Sequence, residues 1–367
     1  MEIEVTQEKI AKALNTVSRV AVGGRSMLPV LNNVLIRVDN GKVTLTTTNL
    51  DMAVVDFLPV SNSSDGVVTV PAKLLAEFVS NLPRGEKIKI SAKDTKITVS
   101  AGKYSSVMNG TLADDFPELP EIDEKQAVVF KMGVDEFKSG INQVIVASSN
   151  DMTRPALTGV YFNTMDGVLA VAATDGYRLA ERKIVEKVES DVAAIVPTNS
   201  LQEVMRSISD DMEEIEISFS EDLVRFRLGE IEVISKLIDA SYPDYRKLIP
   251  KDNKIKVVLK RDELSRVTKL AALFARGVGG SIVCETKAPN IFSVKSVANE
   301  FGENDSKIET EVEADGKITL NSRFLVDALN ALEEDEICFE FSDRVAPVLL
   351  KNKKGDKYTH IVMPLNS

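Results

Sequence analysis

The stretch "VTVPAKLLAEFVSNL" at residues 68–82 decides the fold, because its pattern occurs three times. A β-branched run feeds a proline, and an amphipathic helix of about three turns follows. The copies are "AIVPTNSLQEVMRSI" (194–208) and "ITLNSRFLVDALNAL" (318–332). Pro71 and Pro197 stand where a missing N–H costs nothing, and Asn321 is the expected N-cap of the third copy. After each helix comes an alternating strand: "EKIKISA", "EEIEISFS" and "DEICFEFS".

Two further triples share the period. "VTQEKIAKALNTVSRV" (5–20), "MGVDEFKSGINQVIVA" (132–147) and "LKRDELSRVTKLAALFA" (259–275) each run from an extended lead through a capping turn into a helix. Their apolar residues fall at helical spacing: Ile10, Leu14 and Val17; Phe137, Ile141 and Val144; Leu264, Val267 and Ala271. "VLIRVDNGKVTLTTTNLDMAVVDF" (34–57) aligns with "VYFNTMDGVLAVAATDGYRLAERK" (160–183), and 282–309 is a looser third copy. Each reads strand, hairpin turn, strand, short turn, strand. The offset of about 127 residues is close to one domain length.

The repeats predict an α+β chain of three tandem domains, at 1–125, 126–249 and 250–367. Each is a doubled helix-plus-antiparallel-strands unit with two helices and six to eight strands. Aromatic-proline pairs, Phe116-Pro117 and Tyr242-Pro243, mark the junctions.

Within "AATDGYRLAERK" (172–183), Asp175 and Arg178 invite a catalytic reading as a carboxylate with its charged partner. The repeat offers another, since Thr174-Asp175-Gly176 takes the place of Asn49-Leu50-Asp51, and Asp and Gly are common turn formers. An enzyme would also need a second acid or base, and none is evident. His360 is the only histidine, which leaves triad chemistry little to work with. Cys284 and Cys338 lie far apart without CxxC spacing and read as reduced core cysteines. No catalytic residue, metal or cofactor is expected. No apolar run approaches the roughly 18 residues of a membrane helix, and Met1–Ala11 carries no signal-peptide core, so a cytoplasmic protein with no membrane contact is expected.

Net charge is −11, which opposes a uniformly basic nucleic-acid binder. The helical stretches depart from the whole. With their flanks they sum to about +5, led by Lys9, Lys12, Arg19 and Arg25 in the first and Lys260, Arg261, Arg266, Lys269 and Arg276 in the fifth. Such helices would suit a polyanion if they share one side, though Lys and Arg are also good helix formers on a solvated face. Aromatics are only 5% and there is no Trp, so contact with nucleic acid should run through phosphate charge without sequence readout.

The threefold repeat together with "GGRSMLPVLNNVLI" (23–36), "RPALTGVYF" (154–162), "ATDGYRLA" (173–180), "YPDYRKLIP" (242–250) and "HIVMPL" (360–365) resembles the bacterial DNA sliding clamp family over the whole chain. The resemblance implies helices on one face and sheets on the other, in a homodimeric ring that encircles duplex DNA, slides on it and tethers the replicative polymerase without catalysis. It implies a groove in which short linear peptides of the polymerase, the clamp loader and repair proteins dock. By motif position that groove comprises Leu157, Thr174, Gly176, Tyr177, Arg178, Leu179, Pro243, Lys247, Leu248, Val345, Pro347, Ile361, Val362, Met363, Pro364 and Leu365, with Arg178 holding a peptide carbonyl or orienting its own loop. DNA contact is implied for Arg25, Lys12 and Lys73, and the charge pattern adds Lys269. Thr198 stands where many relatives are basic. The dimer seam is expected at strand 104–108 and the helix around Leu273 and Phe274, where "YSSVMNG" lacks the Phe usual near Ser106. The rival reading is a three-domain interaction scaffold that does not encircle DNA.

Overall fold

The computed structural model describes residues 1–21, 28–60, 62–276, 279–298 and 302–365. Its six helices are α1 (Gln7–Val17), α2 (Ala72–Ser80), α3 (Val134–Ile145), α4 (Thr198–Ser207), α5 (Arg261–Ala275) and α6 (Ser322–Ala331). All six fall on the predicted stretches. Ile10, Leu14, Val17, Phe137, Ile141, Val144, Leu264 and Ala271 are fully buried or nearly so, as their spacing requires. The Asn321 side chain caps α6, accepting a hydrogen bond from the Arg323 N–H at 2.9 Å. Among the described residues the three thirds hold nine, eight and eight strands. The first exceeds expectation because the short strand Asn62–Ser64 adds itself to the edge of Glu2–Thr6.

The chain forms two compact units, Met1–Val134 with Asn199–Leu237, and Asp135–Thr198 with Ile238–Ser367. Both cut the middle third, and sheet pairing explains why. In the first unit Ile231–Lys236 pairs antiparallel with Met52–Pro59, which makes one eight-stranded sheet from two thirds of the chain. In the second, Arg178–Glu186 pairs with Tyr358–Val362 and makes another. Backbone ladders of this kind satisfy obligatory donors and acceptors, so each half of the middle third is bound to its neighbour. A five-stranded sheet completes the first unit and a four-stranded sheet the second.

Each eight-stranded sheet has a helix side and a linker side, set by strand alternation. In the first unit Ser235 meets Ser200 of α4 at 2.7 Å, while Glu232, Ile234 and Arg225 face the linker that contains Phe116 and Ile122. In the second, Tyr358 bonds the Gln143 carbonyl of α3 at 3.1 Å, while Leu179 and Ile361 pack beneath Tyr245 of the linker. Cys284 is buried, and burial pushes its thiol up to about 12; Cys338 is only half-buried.

Candidate functional site

The turn at 174–178 is architecture. Asp175 Oδ1 accepts the N–H groups of Tyr177 (2.9 Å) and Arg178 (3.0 Å), and Thr174 Oγ1 accepts that of Gly176 at 3.1 Å. The earlier repeat builds the same turn. Asn49 Oδ1 accepts from Asp51 (3.0 Å) and Met52 (2.8 Å), and Thr48 Oγ1 from Leu50 (3.0 Å). Both turns need a left-handed residue: Gly176 has φ 92° and Leu50 has φ 76°. A glycine adopts that φ without strain, and Leu50 must be held there by its neighbours.

Arg178 looks away from the expected groove. Its Nε pairs with Asp175 at 3.0 Å, its Nη1 with Asp327 of α6 at 2.6 Å, and its guanidinium lies 4.6 Å from the Phe324 ring. The side chain is 9% exposed. These contacts tie the loop to α6. Val362 stands opposite Arg178 in the ladder, shares that helix-side face and is fully buried. Both placements follow from the alternation of neighbouring strand residues, which puts Arg178 and Val362 on the helix side and Leu179 and Ile361 on the linker side.

The other face gathers the remaining strand residues. Leu179 and Ile361 are directly opposed and join Ala172, Leu349 and Tyr245 in a buried cluster. Tyr242 stacks on Tyr161 with ring centroids 4.6 Å apart, which fixes the linker on the sheet. Tyr245 donates to Glu181, and Arg246 pairs with the same carboxylate at 2.9 Å. Burial drives the Tyr245 phenol well above its ordinary range, so it stays a donor. Around this cluster Gly176, Tyr177, Pro243, Lys247, Leu248 and Val345 are exposed. Leu157, Pro347, Met363, Pro364 and Leu365 are half-buried, and Thr174 is buried. The terminal segment is pinned by Met363 N–H to Tyr177 O and Leu365 N–H to Thr319 O, both 2.8 Å. Lys247 is drawn to Asp244 at 2.7 Å.

Of the expected DNA contacts, Lys12, Lys73 and Lys269 are exposed on α1, α2 and α5, and Arg25 lies outside the described residues. Lys12 lies 3.8 Å from Asp211. The helices proper carry only about one net positive charge; the rest of the predicted excess sits in their flanks, at residues such as Arg19, Lys260 and Arg276. Arg19 is engaged, its Nε 2.7 Å from Glu203 of α4. Burial pushes the Glu203 carboxyl up while Arg19 and Arg206 draw it down. Sequence reading missed this pair because 184 residues separate its members.

The sheet ends carry the seam candidates. Tyr104–Asn109 ends the five-stranded sheet and Gly302–Glu309 ends the four-stranded one. Leu273 is exposed and Phe274 half-buried on α5, which packs on the four-stranded sheet and gives its Ala271 carbonyl to Ser296 Oγ at 2.9 Å.

Models of the N-terminal, central and C-terminal domains of the DNA polymerase III beta subunit match residues 1–120, 131–244 and 246–366. The chain belongs to the DNA polymerase III beta subunit family. The beta sliding clamp of Staphylococcus aureus (strain Mu50) is 29% identical over 379 residues, with both chains wholly covered. Among solved beta subunits, that of Pseudomonas aeruginosa bound to griselimycin superposes with a TM-score of 0.94 at 25% identity, covering 100% of both chains. The Bacillus subtilis clamp also gives 0.94 at 25% identity, covering 100% of this chain and 99% of its own. Three beta-subunit domains in one chain account for the threefold repeat and the α+β architecture. No helix among the described residues is long and apolar enough to cross a membrane.

Proposed function

We propose that the chain is a non-catalytic processivity factor of DNA polymerase III, two copies of which close head to tail around duplex DNA. One observation carries this reading. Met52–Pro59 and Arg178–Glu186 hold equivalent places in the first and second thirds, and each pairs with the equivalent strand of the next third, Ile231–Lys236 or Tyr358–Val362. The third pair of equivalents, Gly302–Glu309 and Tyr104–Asn109, ends its sheets without a neighbour on that side. Two copies supply the missing pairing twice, with Leu273 and Phe274 beside the seam.

The ring is built from thirds at about 1–125, 126–249 and 250–367 and works in the cytoplasm. Lys12, Lys73, Lys269 and Arg25 face DNA with loose, screened attraction that permits sliding. Polymerase, clamp loader and repair proteins dock by short peptides around Leu157, Gly176, Tyr177, Pro243, Lys247, Leu248, Val345, Pro347, Met363, Pro364 and Leu365, over a floor of Thr174, Leu179 and Ile361. Exposed apolar residues beside a buried aromatic cluster suit apolar peptide anchors.

The test is sedimentation followed by loading onto nicked circular duplex. A discrete dimer that stays on circles and leaves after linearisation is expected. A monomer, or equal loss from circular and linear DNA, refutes the ring and favours a scaffold.

A further inference from the structure

A cavity of about 830 Å³ opens in the first unit between α1, strand Met52–Pro59 and the hairpin at Gly229. Asp56 lines it and is 6% exposed, yet its carboxyl accepts no hydrogen bond and forms no ion pair among the described residues. A buried carboxyl without a partner is unusual, since desolvation is normally offset by pairing. The charges around it are mostly committed to one another. Lys12 on α1 faces Asp211, Lys131 pairs with Glu214 and Glu216, and Arg227 pairs with Glu216 and Glu232. Asp56, Glu213 and Glu230 remain, against Lys9 alone. Ala13, Phe57 and Met212 supply apolar wall between these acids.

We propose that this cavity binds an aliphatic polyamine, with one ammonium on Asp56, the alkyl stem along Phe57 and Met212, and a second ammonium toward Glu230. An alkyl chain with cationic ends matches apolar walls and separated carboxylates, as the stems and heads of lysines do on protein surfaces. Asp56 supports the pairing. Burial, reinforced by Glu230 and opposed by Lys12, raises its proton affinity to about 7, so an arriving cation displaces a proton from it. The site is independent of the ring reading, because it needs only the first unit of one chain.

The test is calorimetric titration of the full-length protein with spermidine in the absence of DNA. Binding is expected to tighten about tenfold from pH 6 to pH 8, because the ligand competes with the Asp56 proton. Asp56→Asn is expected to abolish that pH dependence and weaken binding at least about tenfold. Glu230→Gln, on the exposed hairpin, is expected to weaken spermidine but spare butylamine, which has one cationic end. Absence of binding at pH 8, or affinity unchanged in Asp56→Asn, overturns the proposal; the second result assigns the heat to diffuse attraction by the acidic surface. A melting curve of each variant verifies folding before titration.

Discussion

Asp56 and His360 are both buried, and burial moves their proton affinities in opposite directions. Asp56 is raised to about 7, so the folded chain holds a proton that the unfolded chain releases near 4. Its contribution is full below about pH 4, is lost as pH rises toward 7, and is flat above that. His360 is lowered to about 3 by burial, with Arg178 adding to the effect, and its Nδ1 lies 2.7 Å from the Tyr358 hydroxyl. Its contribution is present above about 6.5 and falls away as pH drops toward 3. In urea unfolding followed against pH, Asp56→Asn should gain on the parent by about 4 kcal/mol between pH 4 and pH 8. His360→Gln should gain by about 3 kcal/mol in the other direction, between pH 7 and pH 4. A variant–parent gap that ignores pH would mean the group is solvated in the folded chain. Neither residue's burial was legible in the sequence. Asp56 continues the run Val54-Val55, and alternation does not say which face α1 will cover. His360 drew notice only for being alone.

At the scale of elements, ion pairs tie helices that the sequence keeps far apart. Glu203 of α4 is 4% exposed and relies on Arg19, which follows α1. Arg19→Ala leaves the buried carboxylate with only the more distant Arg206, 3.8 Å away, and we expect a loss of about 2–4 kcal/mol in chemical unfolding. Glu203→Gln removes the stranded charge, so the double variant should recover more than half of that loss. Two single losses that simply add would show the pair to be uncoupled. The helices themselves were legible, because spacing such as Ile10, Leu14 and Val17 and the Asn321 cap are local signals. The turn was legible through repetition, but one residue out of register: Thr174-Asp175-Gly176 makes the hydrogen bonds of Thr48-Asn49-Leu50, where the sequence reading set it against Asn49-Leu50-Asp51. What repetition did not disclose was direction. Arg178 and Leu179 are adjacent in sequence and lie on opposite faces, Arg178 toward α6 and Leu179 toward the linker. The excess charge assigned to the helices likewise moved into their flanks once Arg19, Lys260 and Arg276 proved to lie outside the hydrogen-bonded turns.

For the whole molecule, two of the sheet-edge strands, Tyr104–Asn109 and Gly302–Glu309, bear on how copies join. An open strand edge with exposed apolar residues invites pairing, and here Tyr104 and Val107 lie on one edge strand, with Val297 on the strand beside the other. The two edges belong to different sheets, so the contact is heterologous: edge one of each copy meets edge two of the next. Such contacts grow into filaments unless the rotation per copy closes a ring. The sequence identifies the repeat but not this angle, which depends on sheet twist summed over many strands. If two copies close, sedimentation must show one discrete species across a wide concentration range, with no larger polymers. Val107→Asp with Leu273→Asp places like charges on both sides of the seam, and we expect monomers with nearly unchanged melting, since both side chains are exposed in one chain. Those monomers should leave nicked circular DNA as readily as linear DNA. Lys12→Ala with Lys73→Ala should instead slow loading while leaving retention on circles intact, because attraction brings the ring to its track but enclosure keeps it there. Retention lost in the lysine variant while the dimer persists would reverse that order and make charge the tether.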